Sequence, residues 1–221
     1  MVHTKRIAAG QGKKPKWIIT PRGPHPKKES IPLMMVVRDI LGHAKTAREA
    51  ERIISNALIR VDKKPVRDPN LGVGLMDVIE IPKIKKYYRV MPGRKKLYLK
   101  EIDKKESDIK LCRIRDKSLV SGGKTQLNLH DGSNILVKED KYKTRDTIVL
   151  KLPQREIIDN IEFKKGNMAV IVHGRHSGEA GKISEILEGS KLHKSLTKVE
   201  SIQTRTDYLF MIGGKKAIIA V

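Results

Sequence analysis

Cys112 is the sole cysteine of this 221-residue chain, and with the seven histidines it makes up the side chains best suited to nucleophilic or metal chemistry. Its setting argues against that use. It lies in the short apolar burst Ile109-Lys110-Leu111-Cys112-Arg113-Ile114, where a thiol acts as a small buried hydrophobe. No histidine is close enough in sequence to serve as its base. His173 and His176 are three apart, but no cysteine or second histidine pair completes a zinc set. Gly174, Gly178 and Gly181 could suggest a phosphate cradle. However, the G-x-x-x-x-G-K-[ST] pattern is absent and the loop leads back into a strand pattern instead of a helix. No catalytic residue, metal, cofactor or small-molecule substrate is therefore expected. What remains is positive charge: 47 Lys and Arg against 25 Asp and Glu, a formal net charge of +22. Such a chain repels itself when compact, and a partner with dense negative charge relieves that repulsion. Nucleic acid is the first candidate.

The composition excludes other classes. One cysteine cannot build a disulfide scaffold or a multi-cysteine zinc ribbon. No apolar run reaches the length of a membrane span, and the basic start MVHTKRIAAGQGKK lacks the apolar stretch of a secretory signal. The hydrophobic fraction, 38%, comes in clear runs, so the chain is not wholly disordered. The charge is spread over the whole length. Residues 1–30 carry +7, 31–92 carry +5, 93–165 carry +7 and 166–221 carry +3. The first thirty are the most one-sided, with eight basic residues against Glu29. They have no amphipathic period and read as an extended arm that orders on a partner. Lys5, Arg6, Lys13, Lys14, Lys16, Arg22 and His25 are its candidate RNA contacts, with Trp17 as a base-stacking anchor.

Elements that could position basic residues begin after the arm. Ser30-Ile31-Pro32 predicts a helix start, with Ser30 or Ile31 as cap and Pro32 in the first turn of a helix from Leu33 to Leu41 that Gly42 ends. Thr46-Ala47-Arg48-Glu49 is a capping box. The helix after it places Ala47, Ala50, Ile53, Ile54 and Ala57 on a core-facing stripe, and Arg48 and Arg52, four apart, on a solvent face. Next come a strand over 58–61, a turn at Asp62-Lys63-Lys64-Pro65 and a second strand over 77–81. The stretches TAREAERIISNALIRVDKKPVRDP and VGLMDVIEIP resemble the S4 RNA-binding domain. That resemblance implies a basic surface for structured RNA formed by Arg38, Lys45, Arg48, Arg52, Arg60, Lys63 and Lys64. Arginine suits such a surface because its planar fork binds phosphate bidentately and stacks on bases.

From 93 to 165 the pattern is short strands separated by turns at Ser121-Gly122-Gly123-Lys124 and Asp131-Gly132-Ser133-Asn134. The second turn predicts a hairpin joining strands around 125–129 and 134–138. From Lys164 to Ile186 a strand over 168–172 meets a glycine loop and returns through Ile183 and Ile186. This resembles the KOW motif, which implies that His173, Gly174, Arg175, His176 and Gly178 face RNA. Strands near 198–202 and 208–212 are expected to close the module. The fold class expected is therefore α+β and multi-module: an arm (1–30), an S4-like domain (31–92), a central β-rich domain (93–165) and a KOW-like domain (166–221), the last two small and barrel-like, the final one of SH3-like type.

The whole chain resembles the S4e family of small-subunit ribosomal proteins, of archaeal and eukaryotic type. MVHTKRIAA, GPHPKKESIPL, GGKTQLNLHDGSNILV, VHGRHSGEAGKISEI and DYLFMIG carry the likeness beyond the two S4 stretches. It implies a structural constituent of the small ribosomal subunit in the cytoplasm that binds small-subunit ribosomal RNA beside neighbouring ribosomal proteins, with no enzymatic activity and no membrane association. Two alternatives from other classes stand beside it: a KOW-containing transcription elongation factor, and an RNA-modification enzyme with an appended S4 domain. The second is disfavoured because about 70 central residues are short for a catalytic domain.

Overall fold

The computed structural model of the chain describes residues 18–94, 96–189 and 194–220. Lys5, Arg6, Lys13, Lys14, Lys16 and Trp17 lie outside the described residues. The described residues divide into two compact units: 18–91 with 96–110 and 152–154, and 92–94 with 111–151, 155–189 and 194–220.

In the first unit, β1 (Ile31–Pro32) leads directly into α1 (Leu33–Met35), which widens into a π-helical turn over Val36–Ile40. The helix expected over 33–41 is present, but its start differs. Pro32 is the cap, and Ile31 and Pro32 pair as a strand with β4 (Gly72–Val73). The Ser30 hydroxyl donates to the Pro26 carbonyl at 3.1 Å instead of capping the helix. The widening shows in the Leu41 N–H, which reaches back five residues to Val36 O at 2.9 Å.

α2 (Ala47–Ser55) opens on the capping box read from sequence: Glu49 N–H donates to Thr46 Oγ1 at 3.3 Å, and the Glu49 carboxylate accepts from the Thr46 N–H at 3.3 Å. Beyond it come β2 (Arg60–Val61), β3 (Lys64–Pro65), β5 (Val78–Ile81), β6 (Lys86–Pro92) and β7 (Leu97–Glu101). These form one sheet in the order β3-β2-β5-β6-β7. Its core takes Leu33, Val36 and Val37 from the first helix, Ala50 and Ile54 from α2, and Ile79 and Val90 from the sheet. Leu97 and Leu99 pack on the same core, which is why β7 joins this unit although its composition matches the β-rich stretch after it.

The second unit holds two five-stranded sheets. The first contains β8 (Ile109–Val120), β9 (Lys124–Leu129), β10 (Asn134–Val137), β11 (Thr147–Lys151) and β12 (Glu156–Ile161), ordered β10-β9-β8-β11-β12. The predicted hairpin is there: Asn134 faces Asn128 and Val137 faces Thr125 across β9 and β10. Cys112 is fully buried among Ile114, Leu127 and Leu150, and its thiol donates to Asp131 Oδ2 at 3.8 Å.

The other sheet contains β13 (Met168–Ile171), β14 (Ala180–Leu187), β15 (Leu196–Val199), β16 (Ile202–Arg205) and β17 (Leu209–Gly213), ordered β16-β15-β14-β13-β17. The single strand expected near 198–202 is corrected. Val199 pairs with Ile202 across a two-residue turn at Glu200 and Ser201, so that stretch is the tip of a hairpin. Glu200 there adopts φ of 51°, a left-handed conformation with no glycine to announce it.

Candidate nucleic-acid interface

The capping box fixes where α2 starts, and burial of Ala50 and Ile54 fixes which face turns outward. That outward face carries Arg48 and Arg52, both exposed and without an ion pair among the described residues. Lys45 just before the helix, Arg60 on β2 and Lys64 on β3 are also exposed. Five of the seven cations expected on this module are therefore exposed.

Lys63 and Arg38 are placed differently from those five. Asp62 and Lys63 form the two-residue turn between β2 and β3, and both adopt left-handed backbone, with φ of 50° and 66°. Such turns favour Asn-Gly, and here ionic contacts hold the strained conformation instead. Lys63 Nζ pairs with the Glu80 carboxylate, with Asp108 at 2.7 Å and with Ser107 Oγ at 2.9 Å. Burial works to lower the Lys63 pKa, but Asp108 and Glu80 outweigh it and hold the ammonium above the ordinary lysine range. Its charge is thus neutralised locally. Arg38 is 8% exposed and binds the Asp39 carboxylate through Nε and Nη2, each at 3.0 Å.

His25 is likewise engaged by a carboxylate. Its side chain is 6% exposed and its Nε2 lies 2.9 Å from Asp77 Oδ2. Gly74 packs against the imidazole so closely that any Cβ there would collide with it. The imidazole therefore serves the interior. Arg22, in contrast, is exposed while its backbone joins Asn70 and Gly72 through hydrogen bonds of 2.8 and 2.7 Å. The described end of the arm is thus docked on the loop before β4, with Ile18 and Ile19 packed on the core.

Sequence reasoning missed the group that organises this region, Lys110. It is 1% exposed, and its Nζ lies 2.5 Å from Asp62 Oδ2 and 2.7 Å from Asp77 Oδ1. Asp62 also accepts from the Val78 N–H at 3.1 Å and Asp77 from the Gly74 N–H at 2.8 Å. Burial pushes both carboxyls up. At Asp77 the charges of Lys110 and His25 overcome it and hold the group well below the carboxylate range, whereas at Asp62 burial prevails and the pKa is raised. A lysine at the inward register of an apolar strand, between Ile109 and Leu111, was the available signal.

In the second unit, β13 and β14 are joined by the glycine loop. Gly174 and Gly178 have φ of 94° and 96°. The Gly178 N–H donates to Ile171 O at 2.8 Å and Ser177 Oγ to Val172 O at 3.0 Å, which closes the loop on the end of β13. His173, Arg175 and His176 are exposed at its tip. Arg175 makes no ion pair among the described residues. His176 Nδ1 lies 3.1 Å from Glu179 Oε1, and His173 stacks edge-on to Tyr208. The described residues contain no group of three or more His, Cys, Asp and Glu side chains placed to hold a metal ion. No described helix is long and apolar enough to cross a membrane.

Comparison with known proteins addresses the same segments. The S4 domain family model matches residues 31–79, and the model described as ribosomal family S4e matches residues 84–157. The chain is 41% identical over 219 residues to the small ribosomal subunit protein eS4 of Desulfurococcus amylolyticus, covering 92% of this chain and 87% of that protein. It is 45% identical over 207 residues to the protein of the same name from Methanosphaera stadtmanae, covering 91% and 86%. The crystal structure of the 30S ribosomal protein S4e from Thermoplasma acidophilum superposes with a TM-score of 0.77 at 33% identity, covering 86% of this chain and 99% of that one.

Proposed function

Since this chain belongs to ribosomal family S4e, we propose that it is a structural constituent of the small ribosomal subunit, that it binds small-subunit ribosomal RNA, and that it catalyses no reaction. The observation that carries the RNA-binding reading is the arginine face of α2, Arg48 and Arg52, inside the segment that matches the S4 domain. Two guanidinium groups at fixed helical spacing, with Arg60 and Lys64 on the adjoining strands, offer a rigid pattern of phosphate ligands. Surface cations satisfied by neighbouring acids offer no such pattern.

The four-module division is part of the proposal. The arm of residues 1–30 contributes Lys5, Arg6, Lys13, Lys14, Lys16, Trp17 and Arg22. Residues 31–92 contribute Lys45, Arg48, Arg52, Arg60 and Lys64. Residues 93–165 and 166–221 are two small barrel-like modules, the second of KOW and SH3-like type. Two five-stranded sheets with bulged strands support that reading. In the KOW-like module the loop presents His173, Gly174, Arg175, His176 and Gly178. Neighbouring ribosomal proteins in the cytoplasmic small subunit complete the set of partners.

The test is a salt titration of the purified full chain against small-subunit ribosomal RNA. Log K should fall linearly with log salt, and six or more phosphate contacts correspond to a loss of about a thousandfold or more between 50 and 200 mM. A flat plot refutes the reading.

A further inference from the structure

One constellation in the second unit has the build of a stacking surface, and its centre, Arg205 with Tyr208, lies outside the residues assigned to RNA contact so far. Tyr208 ends the short 3-10 turn Thr206–Tyr208 between β16 and β17. Arg113 Nη1 donates to the carbonyls of both Asp207 and Leu209 at 2.8 Å, so the backbone is clamped on each side of the tyrosine. The Tyr208 carbonyl accepts from the Val172 N–H at 2.7 Å, which ties the same residue to the start of the glycine loop. Upon this fixed ring lies Arg205, the last residue of edge strand β16. Its guanidinium carbon is 5.1 Å from the ring centroid, and its Nη1 donates to Tyr208 Oη at 3.1 Å. His173 meets the ring edge-on, with centroids 5.5 Å apart and an interplanar angle of 73°. Gly174 supplies no side chain where a Cβ would come within 3.7 Å of the ring.

The geometry points to a binding site for one unpaired RNA base, stacked on the Arg205 guanidinium with Tyr208 behind it and His173 at its edge, the adjoining phosphate falling to exposed Arg175. This inference rests on the ribosomal RNA reading and adds the kind of RNA feature recognised. Bases in single-stranded loops stack on aromatic rings and arginine planes, while bases inside a duplex present no free face. A guanidinium already held by a hydrogen bond and a ring loses little freedom when a base covers it. Charge is also suitable: the one acid beside Tyr208 in sequence, Asp207, lies 3.6 Å from Arg145.

The experiment uses the full chain and two probes: an RNA hairpin with 2-aminopurine in its single-stranded loop, and a blunt RNA duplex of equal length. Binding of the hairpin should quench the 2-aminopurine emission, which the duplex control cannot report. Arg205→Lys keeps the charge and removes the plane, so it should weaken hairpin binding about fivefold to a hundredfold. Duplex affinity and the salt slope should stay unchanged. Tyr208→Leu should show the same pattern, and Arg205→Lys decides the matter where Tyr208→Leu fails to fold. Absent quenching, unchanged hairpin affinity in Arg205→Lys, or equal losses on hairpin and duplex would each overturn the site. A steep salt plot on small-subunit RNA combined with any of those results leaves the function standing and removes only this site.

Discussion

Lys110 shows how one side chain can matter to an interface it does not reach. Its ammonium pairs with both Asp62 and Asp77, and Asp62 belongs to the left-handed turn that joins β2, which carries Arg60, to β3, which carries Lys64. Removing one partner of a buried ionic group leaves charge uncompensated, at a cost of about 3–5 kcal/mol. Lys110→Met should lower stability by about that amount at pH 7, measured by urea unfolding. The pH dependence has a definite sign. The Asp77 pKa is depressed in the folded protein, so its contribution is present above the ordinary value of 3.8 and is lost as pH falls below it. Asp62, raised by burial, works in the opposite sense. In the Met variant His25 and the Gly74 N–H still favour the Asp77 carboxylate, but burial is no longer opposed by Lys110 and protonation becomes easier. The gap between wild type and Lys110→Met should therefore narrow on acidification below about pH 4. A gap that is constant with pH would contradict the assignment of the depressed pKa to Lys110.

Among the elements, the glycine loop between β13 and β14 makes a double demand on its backbone. Gly178 combines φ of 96° with a close approach, since a Cβ there would stand 2.9 Å from the Pro92 carbonyl oxygen. Gly122 has φ of 84° but nothing within 4 Å of its Cβ position. A β-branched residue at either site bears backbone strain of roughly 1–3 kcal/mol, and only Gly178→Val adds a collision with backbone. Gly178→Val should thus depress the melting temperature clearly more than Gly122→Val. Equal shifts would show that the contact with Pro92 relaxes freely. The elements also show where the sequence was readable. The capping box and the hairpin at 131–134 were legible because their signals are local: hydroxyl and carboxylate three residues apart, and Asp-Gly between alternating strands. The turn at Glu200 and the one at Asp62-Lys63 were not, because nonglycine residues adopt positive φ there under constraint from distant partners.

For the whole molecule, the net charge of +22 measures affinity for a polyanion but not the position of the contacts. Position depends on which cations the fold leaves without acids. Arg48 and Arg52 stand on a capped helix with their neighbours' carboxylates engaged elsewhere or facing solvent. Lys104 and Lys105 are equally exposed, but they sit in a turn flanked by Asp103, Glu106 and Asp108. Reversing Arg48 and Arg52 to Glu should weaken small-subunit RNA binding more than reversing Lys104 and Lys105, and should reduce the salt slope by about 2. Matching losses in the two double variants would count against the α2 face.

The family and the class of partner were legible in the sequence alone. Total charge, local capping and turn signals, and motif order are properties of composition and near neighbours in the chain. Which basic residues stand exposed and which meet acids is set by the fold. His25, Arg38 and Lys63 look like their exposed counterparts in one dimension, yet each meets a carboxylate, with His25 and Arg38 buried and Lys63 half-buried. For His25 and Lys63 that partner is brought from 52 and from 17 and 45 residues away. Arg38 meets Asp39 next door, but it is the burial of the helix Leu33–Ile40 that commits the pair to the interior. Burial strengthens such pairs because water no longer screens them, and burial is a product of packing between segments far apart in the chain.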